Sequence, residues 1–205
     1  MKFIGKKIGM IEIFDKNNQL IPVTIIKLFP TAITSIIESN DSTKFFVQFG
    51  YNLKKKISLT KPELGHLVKK KLERYQFLRQ FSTSKMDSFN FTIGNFIPID
   101  FLKIGTPIKI QGKSIGKGNT GNIKKNSFNR GPMSHGSKHH RLQGSMGSGT
   151  TPGRVFPGKK MPGRSGGVNV TIANLQIIDL NQKKNFLFLK GSVPGKKGNI
   201  LTIST

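Results

Sequence analysis

Apolar and polar residues alternate with the period of β structure at both ends of this chain and lose all period between them. Ile21, Val23 and Ile25 alternate before Pro30, and Phe45, Val47 and Phe49 alternate before Gly50. That is the pattern of half-buried strands. Asp15–Lys16–Asn17–Asn18, between Phe14 and Leu20, is polar and tolerates left-handed backbone, so it should turn a hairpin. Over about 61–73 the period changes, because Leu64, Leu67, Val68 and Leu72 share one helical face. Thr60 or Lys61 stands near the cap, Pro62 suits the first turn, and Glu63 lies close to the positive end of the helix. The spacing predicts one short amphipathic helix of roughly three turns. Apolar runs resume at Phe89–Ile93, Phe96–Ile99 and Ile104–Ile110. Strand pattern returns with Val168, Val170 and Ile172, then Leu175 and Ile177, then Phe186–Leu189 and Ile200–Ile203.

Between Gly112 and Gly167 only nine large apolar residues occur in 56 positions, and none recurs at strand or helix spacing for long. A loop of that length within a folded domain demands a functional reason. A flexible linker between two small domains is the plain alternative, but Phe128, Met133, Leu142, Met146, Val155, Phe156 and Met161 are residues such linkers avoid. The simplest topology closes residues 1–111 and 168–205 into one mainly β, barrel-like domain. Residues 112–167 are then a long irregular internal extension.

Charge gives that extension a purpose. The chain carries +25 over 205 residues, and from Asp100 to Asp179 no acidic residue intervenes. Residues 101–178 hold 13 Lys and Arg and 15 of the 23 Gly. Uniform positive charge repels itself and persists where a polyanion neutralises it. Nucleic acid is the densest such polyanion, and counterion release supplies its affinity. An irregular arm has no groove of duplex DNA to match, and glycine at this density forbids the amphipathic basic helix of a membrane-surface protein. RNA fits best.

Composition also excludes. With no Cys, a disulfide framework, a Cys-based zinc site and a thiol nucleophile are all impossible. No apolar run reaches the length of a membrane span, and Met1–Gly5 does not read as a signal or transit segment, so the protein is expected to be made where it works. Gly116, Gly118 and Gly121 match a dinucleotide-binding spacing, yet Asn122–Ser127 leads into Gly131–Pro132 without an amphipathic helix, and no acid follows until Asp179. Gly112–Lys113–Ser114 ends like a phosphate loop, but Pro107 stands where its first glycine belongs. His135, His139 and His140 have no Cys or carboxylate beside them and are interleaved with Lys138 and Arg141, which would repel a cation. The nine carboxylates are scattered, so no pair is placed for acid–base work. No catalytic residue, cofactor, metal or small-molecule substrate is expected.

The arm divides its labour. Lys113, Lys117, Lys124, Lys125, Arg130, Lys138, Arg141, Arg154, Lys159, Lys160 and Arg164 spread charge along the whole segment. His135, His139 and His140 suit stacking on bases or bonding to phosphates. Gly116, Gly118, Gly121, Gly144, Gly147, Gly149 and Gly153 permit close approach of backbone donors to phosphate. Pro132, Pro152, Pro157 and Pro162 limit the entropy lost on ordering. These are the properties of an extension that folds on binding and threads between RNA helices. A rival from another class, an RNA-modifying or processing enzyme with a basic substrate arm, needs a base in a folded pocket, and the acid-free arm supplies none.

Several segments carry a family resemblance. Gly112–Gly121, Arg130–Gly131–Pro132–Met133–Ser134–His135–Gly136–Ser137, Gly144–Ser145–Met146–Gly147, Thr151–Pro152–Gly153–Arg154–Val155–Phe156 and Gly158–Lys159–Lys160–Met161–Pro162–Gly163–Arg164 resemble the large-subunit ribosomal protein three family of bacteria and organelles. Gly5–Lys6–Lys7–Ile8–Gly9–Met10 and Leu187–Gly195 resemble it too, and only about 66–100 is weakly matched. The resemblance implies a translation-protein-type β-barrel and an arm reaching toward the peptidyl transferase centre. It also implies direct binding of 23S-type rRNA and early assembly at its 3′ domain. Large-subunit proteins fourteen and nineteen would be neighbours. The family usually has Asp or Asn at Lys109 and Arg at Lys125, where Lys loses the bidentate fork. Thr150 aligns with a Gln that is methylated in many bacterial members, so that modification is not available. The Gly149–Thr150–Thr151–Pro152 version is plastid-like, as is the Lys, Asn, Ile and Phe bias of an AT-rich genome. A ribosome in a plastid, or in a bacterium or other organelle, is the expected location.

Overall fold

The computed structural model describes residues 2–15, 17–38, 44–53, 59–84, 92–99 and 102–204. Lys16 of the predicted turn, Phe89–Phe91 of one predicted apolar run, and Asp41, Asp87 and Asp100 lie outside the described residues. In chain order the strands are β1 (Lys2–Phe14), β2 (Leu20–Leu28), β3 (Thr31–Glu38), β4 (Lys44–Leu53), β5 (Tyr75–Ser84), β6 (Pro107–Lys113), β7 (Asn119–Thr120), β8 (Gly163–Arg164), β9 (Asn169–Asn181), β10 (Phe186–Lys190) and β11 (Ile200–Ser204). The helices are α1 (Lys61–Val68) and α2 (Asn122–Asn126). The chain divides into two compact units, Met1–Gly112 with Thr171–Thr205, and Lys113–Val170.

The first unit is a closed barrel, ordered β1-β11-β6-β9-β10-β2, with a three-stranded sheet β3-β4-β5. β6 shows how sequence builds the barrel wall. Its residues are exposed and buried by turns, so Ile108 and Ile110 point inward while Lys109 and Gln111 face out. Phe3, Ile26, Leu28, Leu102, Ile177, Leu187, Leu189, Val193, Leu201 and Ile203 complete the core with them. Burial of each such side chain contributes about 1.5–3 kcal/mol.

The inward face of β2 is one residue out of step with the alternation of Ile21, Val23 and Ile25. Leu187 and Leu189 of β10 stand opposite Ile26 and Thr24. Ile26 and Leu28 therefore enter the barrel core, whereas on the other parity Val23 is fully buried and Ile21 and Ile25 are half-buried. β2 is apolar at both parities, and the register of its partner selects the phase. Thr24, buried on the inward side, is satisfied by donating its hydroxyl to the Gly191 carbonyl at 2.6 Å.

In the second sheet the alternation reads correctly, since Val47 and Phe49 pack with Ile33. α1 is held by Leu67, which packs with Ala32 and Tyr75. It ends at Val68, well short of 73, and Val68 is 61% exposed. The reason is a left-handed residue, Lys71 (φ 54°). The Lys71 amide donates to the Val68 carbonyl at 2.9 Å and the Leu72 amide to the Leu67 carbonyl at 3.1 Å. Leu72 packs beside the Leu67 cluster, so this is the hydrogen-bond pair and apolar contact of a Schellman ending. Helix-like spacing had placed Leu72 on the helix face; the turn folds it back onto that face. Val168 and Val170, read as strand positions, are exposed, and Ile177 is the one fully buried side chain of β9.

Candidate nucleic-acid interface

Lys113–Val170 lacks sequence periodicity but has a framework of its own. The outgoing and returning chains run side by side. The Ser114 amide donates to the Val168 carbonyl at 2.8 Å, Lys117 to Ser165 at 2.9 Å, and Ser165 to Gly118 at 3.0 Å. β7 and β8 continue this ladder, pairing Asn119 with Arg164 and Thr120 with Gly163. At Gly166 (φ 69°) an added Cβ would overlap the Ile115 carbonyl, so both the backbone conformation and the close approach exclude a side chain.

A single helical turn, too short for an amphipathic helix, follows Gly121. α2 is five residues long and ends at Ser127 in the left-handed region (φ 57°). Asn122 explains it. This side chain is 1% exposed. Its Nδ2 donates to the carbonyls of Gln143 (3.4 Å) and Lys160 (3.3 Å), and its Oδ1 accepts from Asn126 Nδ2 at 2.8 Å. Asn126 Nδ2 also donates to the Met161 carbonyl at 3.3 Å. Side-chain amides thus do here what an apolar core would do elsewhere. Hydrophobic pattern carries no sign of a buried polar residue, so sequence reasoning passed over Asn122.

A second clasp joins residues 130–132 to 139–141. The Gly131 amide donates to the His140 carbonyl at 3.1 Å, and His140 Nδ1 lies 2.8 Å from the Pro132 carbonyl. A carbonyl only accepts, so Nδ1 carries the hydrogen and Nε2 is the nitrogen left for an outside partner. Half-buried His140 is therefore a framework residue as well as a predicted ligand. Gly131 admits no side chain, because a Cβ would overlap the His139 carbonyl.

These clasps sort the predicted ligands. Lys124 and Lys125 on α2 lie near the returning Lys160 and Arg164, since Asn122 grips the Lys160 carbonyl and Lys125 Nζ would stand 2.9 Å from a Cβ at Gly163. Arg130, His139, His140 and Arg141 gather at the second clasp. Arg154 stands apart with its guanidinium 5.7 Å above the Phe156 ring. Every predicted Lys and Arg of the extension is exposed, as are His135 and His139. An open cleft of about 720 Å³ is lined by His139, Arg141, Leu142, Gln143, Gly144, Ser145 and Pro162.

The predicted glycines behave differently from Gly131 and Gly166. A Cβ at Gly116, Gly118, Gly121, Gly144, Gly147 or Gly149 would meet nothing within 4 Å, and at Gly153 only the Thr150 carbonyl at 3.3 Å. Gly118, Gly144, Gly147 and Gly153 have positive φ, which accounts for them by backbone conformation. Gly116, Gly121 and Gly149 have neither reason within the chain. Ile115, Met133, Leu142, Met146 and Phe156 are also exposed. Among the described residues no three His, Cys, Asp or Glu side chains gather as a metal site requires.

A model of the family described as ribosomal protein L3 matches residues 67–185. The large ribosomal subunit protein uL3c of Gracilaria tenuistipitata var. liui is 48% identical over 200 residues, covering 98% of this chain and 97% of its own. The chain belongs to the ribosomal protein L3 family. The uL3c of Phaeodactylum tricornutum is 47% identical over 98% of this chain and 96% of its own. The uL3 of Prochlorococcus marinus (strain MIT 9301) is 44% identical over 98% and 91%. The ribosomal protein L3 family is structural, not enzymatic, and its mainly β fold is the one found here. The family match takes in all of Lys113–Val170, the unit whose Lys and Arg side chains are all exposed.

Proposed function

We propose that this protein is a structural constituent of the large ribosomal subunit that binds 23S-type rRNA directly through residues 112–167. The observation that carries the reading is an acid-free segment whose Lys and Arg side chains all face outward. Lys113, Lys117, Lys124, Lys125, Arg130, Lys138, Arg141, Arg154, Lys159, Lys160 and Arg164 neutralise phosphates along the path of the RNA. His135, His139 and the Nε2 side of His140 meet bases or phosphates, and the Arg154–Phe156 pair offers a stacking surface. Gly116, Gly121 and Gly149, which the chain's own packing does not require, are where RNA backbone comes closest.

By family resemblance the extension reaches toward the peptidyl transferase centre and fixes RNA geometry there, while the chemistry belongs to the RNA. The same resemblance assigns early assembly at the 3′ domain, with large-subunit proteins fourteen and nineteen as neighbours. Similarity to a uL3c from a red alga, a uL3c from a diatom and a cyanobacterial uL3 supports a ribosome in a plastid.

Salt dependence tests the reading. Binding of the full chain to a large-subunit RNA fragment should weaken with log salt by about 0.7–0.9 log units per phosphate neutralised. Replacing Lys117, Lys124, Lys160 and Arg164 together by Gln should flatten that slope by roughly three units. An unchanged slope would show that these four cations meet no phosphate and overturn the assignment.

A further inference from the structure

The β1–β2 hairpin is chemically unlike the rest of the protein. Its register sets Phe14 opposite Leu20, Glu12 opposite Pro22 and Met10 opposite Thr24. Strand side chains alternate between faces, so Met10, Glu12, Phe14, Leu20 and Pro22 share one face. Met10 is 47% exposed, Phe14 70% and Leu20 53%. Glu12, exposed between Met10 and Phe14, is the charged residue at the centre of that patch. On the other face Ile11 is exposed as well.

The hairpin also has a free edge. β1 pairs with β11 as far as Lys6, and Lys7 closes the ladder with Asn199 and Gly198. Beyond that point β1 pairs with β2 alone, so among the described residues no strand covers the outer edge of Gly9–Phe14. A free, apolar strand edge is a template for an added strand.

Charge decides what covers it. Residues 9–20 contain Glu12, Asp15 and Lys16, a net charge of −1 within a chain of +25. Phosphate brought against Glu12 is repelled, and a second copy pairing the same edge, Gly9–Phe14, with its own would bring the two Glu12 carboxylates together. An extended, basic protein segment gains on both counts. Its Lys or Arg pairs with Glu12 inside an apolar rim, the arrangement of a desolvated anchor. We infer that this hairpin is a protein-docking edge for a basic neighbour that adds a strand along β1. The inference rests on the ribosomal reading above, which supplies basic proteins as neighbours.

A benzophenone photo-crosslinker at position 14 of the full chain tests it in purified, reconstituted large subunits. The expected adduct is one basic protein, joined through an extended segment identified by mass spectrometry. Glu12→Lys in the same chain should cut its yield at least tenfold, Glu12→Gln less, with barrel melting and rRNA binding unchanged. An adduct with RNA, with a second copy, or with nothing in fully assembled subunits would overturn the proposal. So would an adduct indifferent to Glu12→Lys. A chain that never enters large subunits would instead remove the ribosomal reading, and the docking edge with it.

Discussion

Asn122 makes three hydrogen bonds from a position only 1% exposed, and they tie α2 to residues 143 and 160. Asn122→Ala would orphan the carbonyls of Gln143 and Lys160 unless water entered. Losing a buried partner costs about 1–3 kcal/mol. Because the two units are separately compact, that cost should appear as local opening of Lys113–Val170 with the barrel intact. Hydrogen exchange measured by mass spectrometry should be roughly tenfold faster, or more, within 113–170 and unchanged in barrel strands. Uniform acceleration across the whole chain would show that the units unfold together. Legibility at this scale follows solvent. Lys117 or Arg164 can be found from sequence because an unpaired cation must stay in water, whereas Asn122 is buried only because of partners 21 and 38 residues away.

The N-terminus of α1 was legible because its signals are local. Thr60 is the cap, and Glu63 accepts from the Thr60 amide at 3.0 Å and from the Thr60 hydroxyl at 2.7 Å. Those two bonds, the hydroxyl's first, hold the Glu63 carboxyl below its ordinary value. An acid whose folded pKa is depressed contributes stability that is complete above the ordinary carboxylate range and lost as pH falls through its folded value. Thr60→Ala removes the larger cause, so Glu63 should titrate nearer its ordinary pKa and α1 should lose less stability on acidification. Carboxyl NMR titration of Glu63 checks this, and an unmoved pKa in the variant would refute the capping assignment. The C-terminus of α1 and the phase of β2 were not legible. Lys71 is no glycine yet turns left-handed, and β2 takes its phase from Leu187 and Leu189, some 160 residues along the chain.

At the scale of the whole molecule, strand pattern at both ends and charge between them were enough to anticipate a β-rich body and a basic extension. Barrel closure itself depends on β1 meeting β11, nearly the full chain length apart, which no local window contains. Residues 143–153 illustrate how body and extension separate their tasks. No charged residue occurs there before Arg154, and at Gly149 neither backbone angle nor neighbouring atoms require glycine. Gly149→Asp should therefore leave the free protein within about 0.5 kcal/mol of its original stability. Gly147 (φ 135°) is a poorer probe, since any side chain there strains the backbone as well. If the apex packs against RNA near the peptidyl transferase centre, Gly149→Asp brings a negative charge and four extra heavy atoms against phosphate. The barrel and the flanking cations remain, so subunits should still assemble. Single-turnover peptide bond formation should then be slower, or the response to drugs bound at that centre altered, with Gly149→Ala giving a smaller effect of the same kind. Normal rates and unchanged drug response in fully assembled Gly149→Asp subunits would mean that this glycine faces open solvent on the ribosome too, and that the apex lies elsewhere.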